Sequence, residues 1–253
     1  MTCEAAMRAG AGWVRAAVPS SLNLVFEQKL TEVMTVPLAD EGGDLLAKNV
    51  EQVLEAAKRA DSVVLGPGLG RAPGAFDLVR ELVKSLDRPL LVDADGLNAL
   101  AGKLDLVAKR DAPTVLTPHE GELGRLLETE SAQVSARRLQ HARDAASAAQ
   151  ATVLLKGDDS LVVEADGRSA VSPGGSAGLA TAGTGDVLSG VIAAFLAKGL
   201  GAFEASCAGV HAHAQAGWVA ATQVGADSVI ATDVIAALPS ALRRPAGDDE
   251  PVG

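Results

Sequence analysis

The sequence predicts an α/β fold: a mostly parallel central sheet with helices on both faces and an antiparallel hairpin at one side. Three observations carry this. Four short apolar runs, 61–65 (DSVVL), 89–92 (PLLV), 112–116 (APTVL) and 152–155 (TVLL), are continuous rather than alternating, as strands buried on both faces are. Amphipathic stretches at roughly 48–60, 74–86, 119–128 and 133–150 lie between and beyond them, the rhythm of parallel strands joined by helices. "SLVVEADGRSAVS" then breaks that rhythm, because two short runs flank Asp166-Gly167, a hairpin turn signal.

Beyond the hairpin the pattern reads as three helices, 185–200, 202–222 and 232–243. The last ten residues, "RPAGDDEPVG" (244–253), have the composition of a disordered tail. No linker or internal repeat interrupts the rest, so residues 1–243 are expected to form one α/β domain.

Composition narrows the function. With 253 residues, 48% hydrophobic and 21% charged, the chain can bury a substantial core. Tyrosine is absent, so Ala, Val and Leu must build that core. No apolar stretch reaches the roughly 18 residues of a membrane span, and no signal-peptide pattern opens the chain. A formal net charge of −10 argues against nucleic acid, whose binding rests on Lys and Arg neutralising phosphates. Cys3 and Cys207 form no CxxC motif or framework and read as small buried residues in a reducing cytoplasm.

Polar and glycine-rich turns follow the strand signals. "VVLGPGLGR" (63–71) runs a strand into Gly66, Gly68 and Gly70, spaced unlike the GxGxxG dinucleotide fingerprint. "LVDADGLNAL" (91–100) places Asp93, Asp95 and Asn98 after a second strand. "VLTPHEGEL" (115–123) places Thr117, His119, Glu120 and Glu122 after a third, where His119 reads as a helix-start residue or a catalyst. "VLLKGDDS" (153–160) adds Lys156, a phosphate contact or a solvated strand end. In an open α/β sheet such turns share one face.

"GLATAGTGDVLSG" (178–190) turns from glycine-rich loop to apolar helix. Gly183 and Gly185 would let an anion approach backbone N–H groups at the positive end of the helix dipole. Asp186 is then either a functional carboxylate or a favourable helix-start acid, and spacing alone leaves both open. The dipole at that position favours the charged form, which predicts a weak base. No GxxxxGK[ST], HExxH or GxSxG occurs, and the i,i+2 histidines of "HAHAQAG" (211–217) point to opposite sides of a helix, which rejects a metal site there.

Taken together, "GPGLG", "VDADGLN", "LTPHEGEL", "LLKG" and "ATAGTGDVLSGVIAAFLAKGL" resemble, in order and spacing, the ADP/ATP-dependent NAD(P)H-hydrate dehydratases over about residues 4–240. The GTGD turn alone is shared with many ribokinase-like kinases; TPHEGE, close to the family's TPHPGE, and VDADGLN are more specific. Glu120 stands where that family usually has proline. The resemblance implies a ribokinase-like fold. It also implies that "MTCEAAMRAGAG" (1–12) opens inside a helix that family members precede with a strand and a substrate-covering loop. The strand at 12–18 (GWVRAAV) would then lie bare at a sheet edge.

The reaction implied is repair of hydrated NADH or NADPH: phosphorylation of the hydrate hydroxyl by ADP or ATP, then loss of phosphate. By the resemblance, Asp186 orients and deprotonates that hydroxyl, and Gly68, His119 and Asp186 contact the hydrate. Lys156, Gly157, Asp158, Asp159 and Ser160, with Gly183, Thr184 and Gly185, hold the adenine nucleotide. Mg²⁺ bridges its phosphates, with no protein ligand assigned by the sequence. An NAD(P)H-hydrate epimerase is the implied functional partner, and a homo-oligomer the implied assembly. Two rival readings share part of this signal: a ribokinase-like kinase of a small alcohol such as a vitamin precursor or sugar, and a nucleotide-binding module without catalysis.

Overall fold

The computed structural model describes residues 1–243; the tail at 244–253 lies outside the described residues. In chain order the elements are α1 (Thr2–Arg8), β1 (Arg15–Pro19), α2 (Asn23–Lys29), β2 (Met34–Leu38), β3 (Asp40–Glu41), β4 (Asp44–Leu45), α3 (Val50–Ala57), β5 (Val63–Leu65), α4 (Pro73–Ser85), β6 (Leu90–Val92), α5 (Asp95–Ala99) and α6 (Asp105–Ala108). They continue with β7 (Thr114–Leu116), α7 (Glu120–Leu126), α8 (Ser131–Ala136), α9 (Arg138–Ala149), β8 (Thr152–Leu155), β9 (Leu161–Val163), β10 (Ser169–Val171), α10 (Thr184–Ala197), α11 (Ala202–Val224) and α12 (Ala231–Ala241).

The central sheet has the order β10-β9-β8-β7-β6-β5. Strands β5 to β8 are parallel, while β9 runs antiparallel to both β8 and β10. All four apolar runs and the Asp166-Gly167 hairpin therefore form as the sequence predicts. Alternation along these strands feeds two cores, since successive side chains leave opposite faces of a sheet. Leu90, Val92, Leu116, Val153, Leu155 and Val163 pack against α4, α7 and α9. Leu91, Val115, Leu154 and Val162 pack against Leu188, Ile192 and Leu196 of α10 and Ala205 and Val210 of α11. A third cluster binds α1 and α12 to α10 and α11. Helix α10 is thus held on both sides, and its N-terminus is fixed relative to the strand ends.

Four expectations need correction. The strand in GWVRAAV forms, but it pairs in parallel with β2 as a separate two-stranded sheet rather than lying beside the central sheet. The stretch 133–150 is two helices, because Arg137 adopts φ −143° and ψ 51°, outside the helical range. Apolar Val134, Ala142, Ala145 and Ala149 keep helical spacing across that break, so periodicity alone conceals it. The stretch 48–60 is helical as α3 only over Val50–Ala57, after a 3₁₀ turn at Ala47–Asn49. Cys3 and Cys207 are free but only partly buried.

Candidate active site

The turns singled out by sequence follow the carboxyl ends of β5, β6, β7 and β8, and they meet the start of α10. At the centre lies Asp93, 1% exposed at the end of β6. Its Oδ1 accepts from Lys156 Nζ at 2.8 Å and from the Ala94 N–H at 2.9 Å, and its Oδ2 accepts from Ser189 Oγ of α10 at 2.6 Å. Lys156 Nζ lies 3.8 Å from Glu122 Oε2 as well, so one ammonium neutralises two buried carboxylates from neighbouring strand ends. Ala94 holds φ 51°, a sparsely populated conformation that turns the chain between Asp93 and Asp95.

Asp95 performs a different task. It accepts from the Gly70 N–H at 3.2 Å, from Arg71 Nε at 3.0 Å and from Asn98 Nδ2 at 3.1 Å. Asn98 in turn accepts from Arg125 Nε of α7 at 2.7 Å. The VDADGLN turn therefore pins the glycine loop after β5 to the helix after β7. Gly66 (φ 126°) makes this possible, because a Cβ there would collide with the Asp93 carbonyl. Gly68 stands exposed in the same loop, with open space where a side chain would be.

His119 is the N-cap of α7. Its Nδ1 accepts from the Gly121 N–H at 3.0 Å and the Glu122 N–H at 3.4 Å, while Glu122 Oε2 accepts from the His119 N–H at 2.9 Å. Because Nδ1 accepts, the neutral ring carries its proton on Nε2. The side chain is 54% exposed, with Nε2 3.5 Å from Glu122 Oε1, so capping and that contact leave part of the ring open to a ligand. Both readings of His119 are physically compatible.

Helix α10 begins at Thr184, with Gly183 as N-cap in the left-handed region at φ 91°. Thr184 Oγ1 donates to the Leu179 and Thr181 carbonyls, and Thr181 Oγ1 donates to the Val229 carbonyl, which fastens the loop ahead of the helix. Gly185 faces Lys156: a Cβ there would lie 3.5 Å from Nζ. Asp186 sits in the first turn. Burial first, and the nearby Asp93 carboxylate second, raise its carboxyl above the ordinary range, with Lys156 acting in the opposite sense. This direction is opposite to the one expected from the helix dipole, because burial and a like charge both oppose ionisation.

His119, Glu120, Lys156, Gly157, Asp158 and Asp159 line one open cleft of about 530 Å³, shared with Gly121, Ser131 and Arg138. Ser160 Oγ closes its loop by donating to the Gly157 carbonyl at 3.1 Å. Of the residues expected to touch the hydrate only His119 lines this cleft, beside Lys156, Gly157, Asp158 and Asp159 of the nucleotide set; Gly68, Asp186, Ser160 and Gly183–Gly185 are not among its lining residues. Two contributors escaped sequence reading. Ser189 is polar within the apolar run VLSGVIAAFLA, one turn after Asp186, and that mismatch was the available signal. Arg138 carries no motif. His211 is exposed while His213 is buried.

This four-stranded parallel core with helices on both faces and an antiparallel hairpin at one side has the fold of a solved ribokinase-like superfamily protein from Enterococcus faecalis, with a TM-score of 0.75 at 24% identity over 94% of this chain and 79% of that one. The family model for NAD(P)H-hydrate dehydratase matches residues 1–240, and this chain belongs to that family. Its sequence is similar to the bifunctional NAD(P)H-hydrate repair enzyme Nnr of Moorella thermoacetica, 40% identical across 96% of this chain and 46% of that one. It is also similar to the ADP-dependent (S)-NAD(P)H-hydrate dehydratase of Xanthomonas campestris, 33% identical over 95% of this chain and 82% of that one. The structure of the Bacillus subtilis ADP/ATP-dependent NAD(P)H-hydrate dehydratase, co-crystallised with ATP/Mg²⁺ and soaked with CoA, superposes with a TM-score of 0.79, at 25% identity over 95% of this chain and 84% of that one. The chain spans about half the length of the bifunctional relatives, 46% for the Moorella protein.

Proposed function

We propose that this chain catalyses nucleotide-dependent dehydration of NAD(P)H hydrate. One observation carries the reading: Asp186, made more basic by burial and by Asp93, stands beside the Gly183–Gly185 cradle and near Lys156. In this reading Asp186 takes the proton of the hydrate hydroxyl as that oxygen attacks the terminal phosphorus of ATP or ADP, releasing ADP or AMP. The N–H groups at the start of α10 stabilise the transferring phosphoryl group, where positioning and charge supply most of the rate. Phosphate then departs with the C–O bonding pair, and loss of a proton from the adjacent ring carbon restores the nicotinamide double bond.

Gly68 and His119 are the hydrate contacts in this proposal, and Lys156–Ser160 with Gly183–Gly185 hold the nucleotide. Lys156 is already committed to Asp93 and Glu122, so its task is to keep those carboxylates neutralised while presenting one face to Gly185. Among the described residues no group of three or more His, Cys, Asp or Glu is placed to hold a metal. Mg²⁺ held chiefly by nucleotide phosphates would ask for one or two protein carboxylates at most, and Asp186 is the carboxylate beside the cradle. Magnesium would supply charge neutralisation there. The word bifunctional in the relatives' names, with this chain spanning about half of them, supports an NAD(P)H-hydrate epimerase as functional partner. Among the described residues no helix is long and apolar enough to cross a membrane.

The test is incubation with prepared NADH hydrate and ADP or ATP, following recovery of NADH absorbance. A stable phosphorylated small alcohol formed efficiently instead would replace the dehydratase reading with the kinase. Nucleotide binding without turnover of either substrate would leave a binding module.

A further inference from the structure

Arg138, the first residue of α9, joins two turns that the sequence keeps nearly forty residues apart. Its Nε lies 3.3 Å from Glu120 Oε1, on the turn that carries His119. One terminal nitrogen pairs with the Asp159 carboxylate, and the other donates to the Lys156 carbonyl at 3.3 Å. Ser135, on the preceding helix, donates to the second Glu120 oxygen. The guanidinium lies against the α-carbon of Gly157, where any side chain would displace it. The break at Arg137 lets α9 start here, so that the arginine turns inward and is only 19% exposed.

We propose that Arg138 is a positioning residue: it fixes the shape of the Gly157–Ser160 loop and ties that loop, through Glu120, to the turn bearing His119. This rests on the reading that the loop takes the adenine nucleotide. The planar guanidinium hydrogen-bonds the Asp159 carboxylate and the Lys156 carbonyl through its two terminal nitrogens, while its Nε makes no hydrogen bond and meets Glu120 as a charge contact only. An ordinary surface ion pair would contribute little and leave the kinetics unchanged. Here the arginine is mostly buried and lines the same cleft as His119 and Lys156.

The test compares wild type, Arg138→Gln, Arg138→Lys, Glu120→Gln and the Glu120→Gln/Arg138→Gln double variant by titration with ADP and ATP and by kinetics on NADH hydrate. Arg138→Gln is expected to raise the nucleotide Kd and KM by about tenfold, the scale of one lost charge-assisted contact. Its kcat at saturating nucleotide and its hydrate KM should stay within about threefold of wild type. Arg138→Lys, which keeps the charge without the fork, should recover only part of the affinity. Glu120→Gln, though outside the loop, should raise the nucleotide KM in the same sense. The double variant should be no worse than Arg138→Gln, since both changes cut one bridge. Should Arg138→Gln fail to fold, Glu120→Gln alone decides. An unchanged nucleotide constant, or equal losses in kcat and both KM values alongside a lowered Tm, overturns the positioning role. Failure of the wild-type protein to bind either nucleotide overturns the reading of the loop itself, and the inference with it.

Discussion

Lys156 Nζ and Asp93 Oδ1 are 2.8 Å apart, and the aspartate is sealed from solvent while the lysine retains a partly exposed face. A buried carboxylate whose paired cation is removed keeps its desolvation penalty and loses its compensation. Lys156→Met should therefore destabilise the fold by about 3–5 kcal/mol in urea denaturation, the range for stranding a buried charge. Adding Asp93→Asn to that variant should restore part of the loss, because the stranded charge is gone. A Lys156→Met protein as stable as wild type would mean that the pair is not what holds these strand ends together.

If Asp186 is the proposed base, the same environment sets stability against activity there. Its carboxyl titrates above the ordinary value because burial and Asp93 oppose its charge. In the folded state the ionised form is thus disfavoured relative to the unfolded chain. The resulting penalty is absent below the unfolded pKa and fully present once pH exceeds the folded one. Asp186→Asn should raise Tm at pH 7 while lowering turnover by about 10²–10⁴-fold, as loss of a general base does. Turnover within a few-fold of wild type would reduce Asp186 to a helix-start acid.

The sequence carried the parallel strands, the hairpin and the site turns because each rests on a short-range signal: a continuous apolar run, Asp-Gly between two strands, or glycines and carboxylates just past a strand. It did not carry the β1–β2 pairing, since residues such as Ala16 and Thr35 meet only through tertiary placement. Nor did it carry the division of labour in VDADGLN. Asp93 and Asp95 are two residues apart with the same chemistry, yet one faces Lys156 and the other the Gly70 N–H, because Ala94 reverses the chain between them. The basicity of Asp186 was misread for a related reason. The dipole is visible in the helix start, whereas burial and the Asp93 charge come from an element nearly a hundred residues away.

The cap that His119 makes on α7 and the hydrate contact proposed for it can be separated. Alanine would remove both the cap on α7 and the exposed ring, whereas asparagine, a favourable N-cap, replaces only the first. His119→Ala should lose about 1 kcal/mol of stability and raise the hydrate KM. His119→Asn should stay close to wild type in Tm and show the same rise in KM. Identical hydrate KM values in wild type and both variants would leave His119 a cap alone.

The last prediction concerns His213, buried on α11 against the backbone of Thr184 at the start of α10. Its Nε2 is buried without a hydrogen-bond partner, and burial depresses its pKa from the usual 6.5 to about 4. Above pH 6.5 the ring is neutral in both the folded and unfolded states, so it adds no pH dependence there. As pH falls from 6.5 toward 4 the unfolded chain takes up a proton that the folded protein refuses, and stability drains away across that window. At about 1.4 kcal/mol per pH unit, a displacement from 6.5 to about 4 amounts to about 3 kcal/mol. Other groups also take up protons as the pH falls, so the informative quantity is the difference between wild type and His213→Gln. Glutamine replaces the ring with a group that takes up no proton. The variant should be less stable than wild type at pH 7.5, through lost packing, and the gap should narrow steadily as the pH is lowered to 4. Urea denaturation at four or five pH values measures it. If the two curves instead run parallel from pH 7.5 to 4, His213 does not bind a proton on unfolding in this window, and its burial contributes nothing to acid sensitivity.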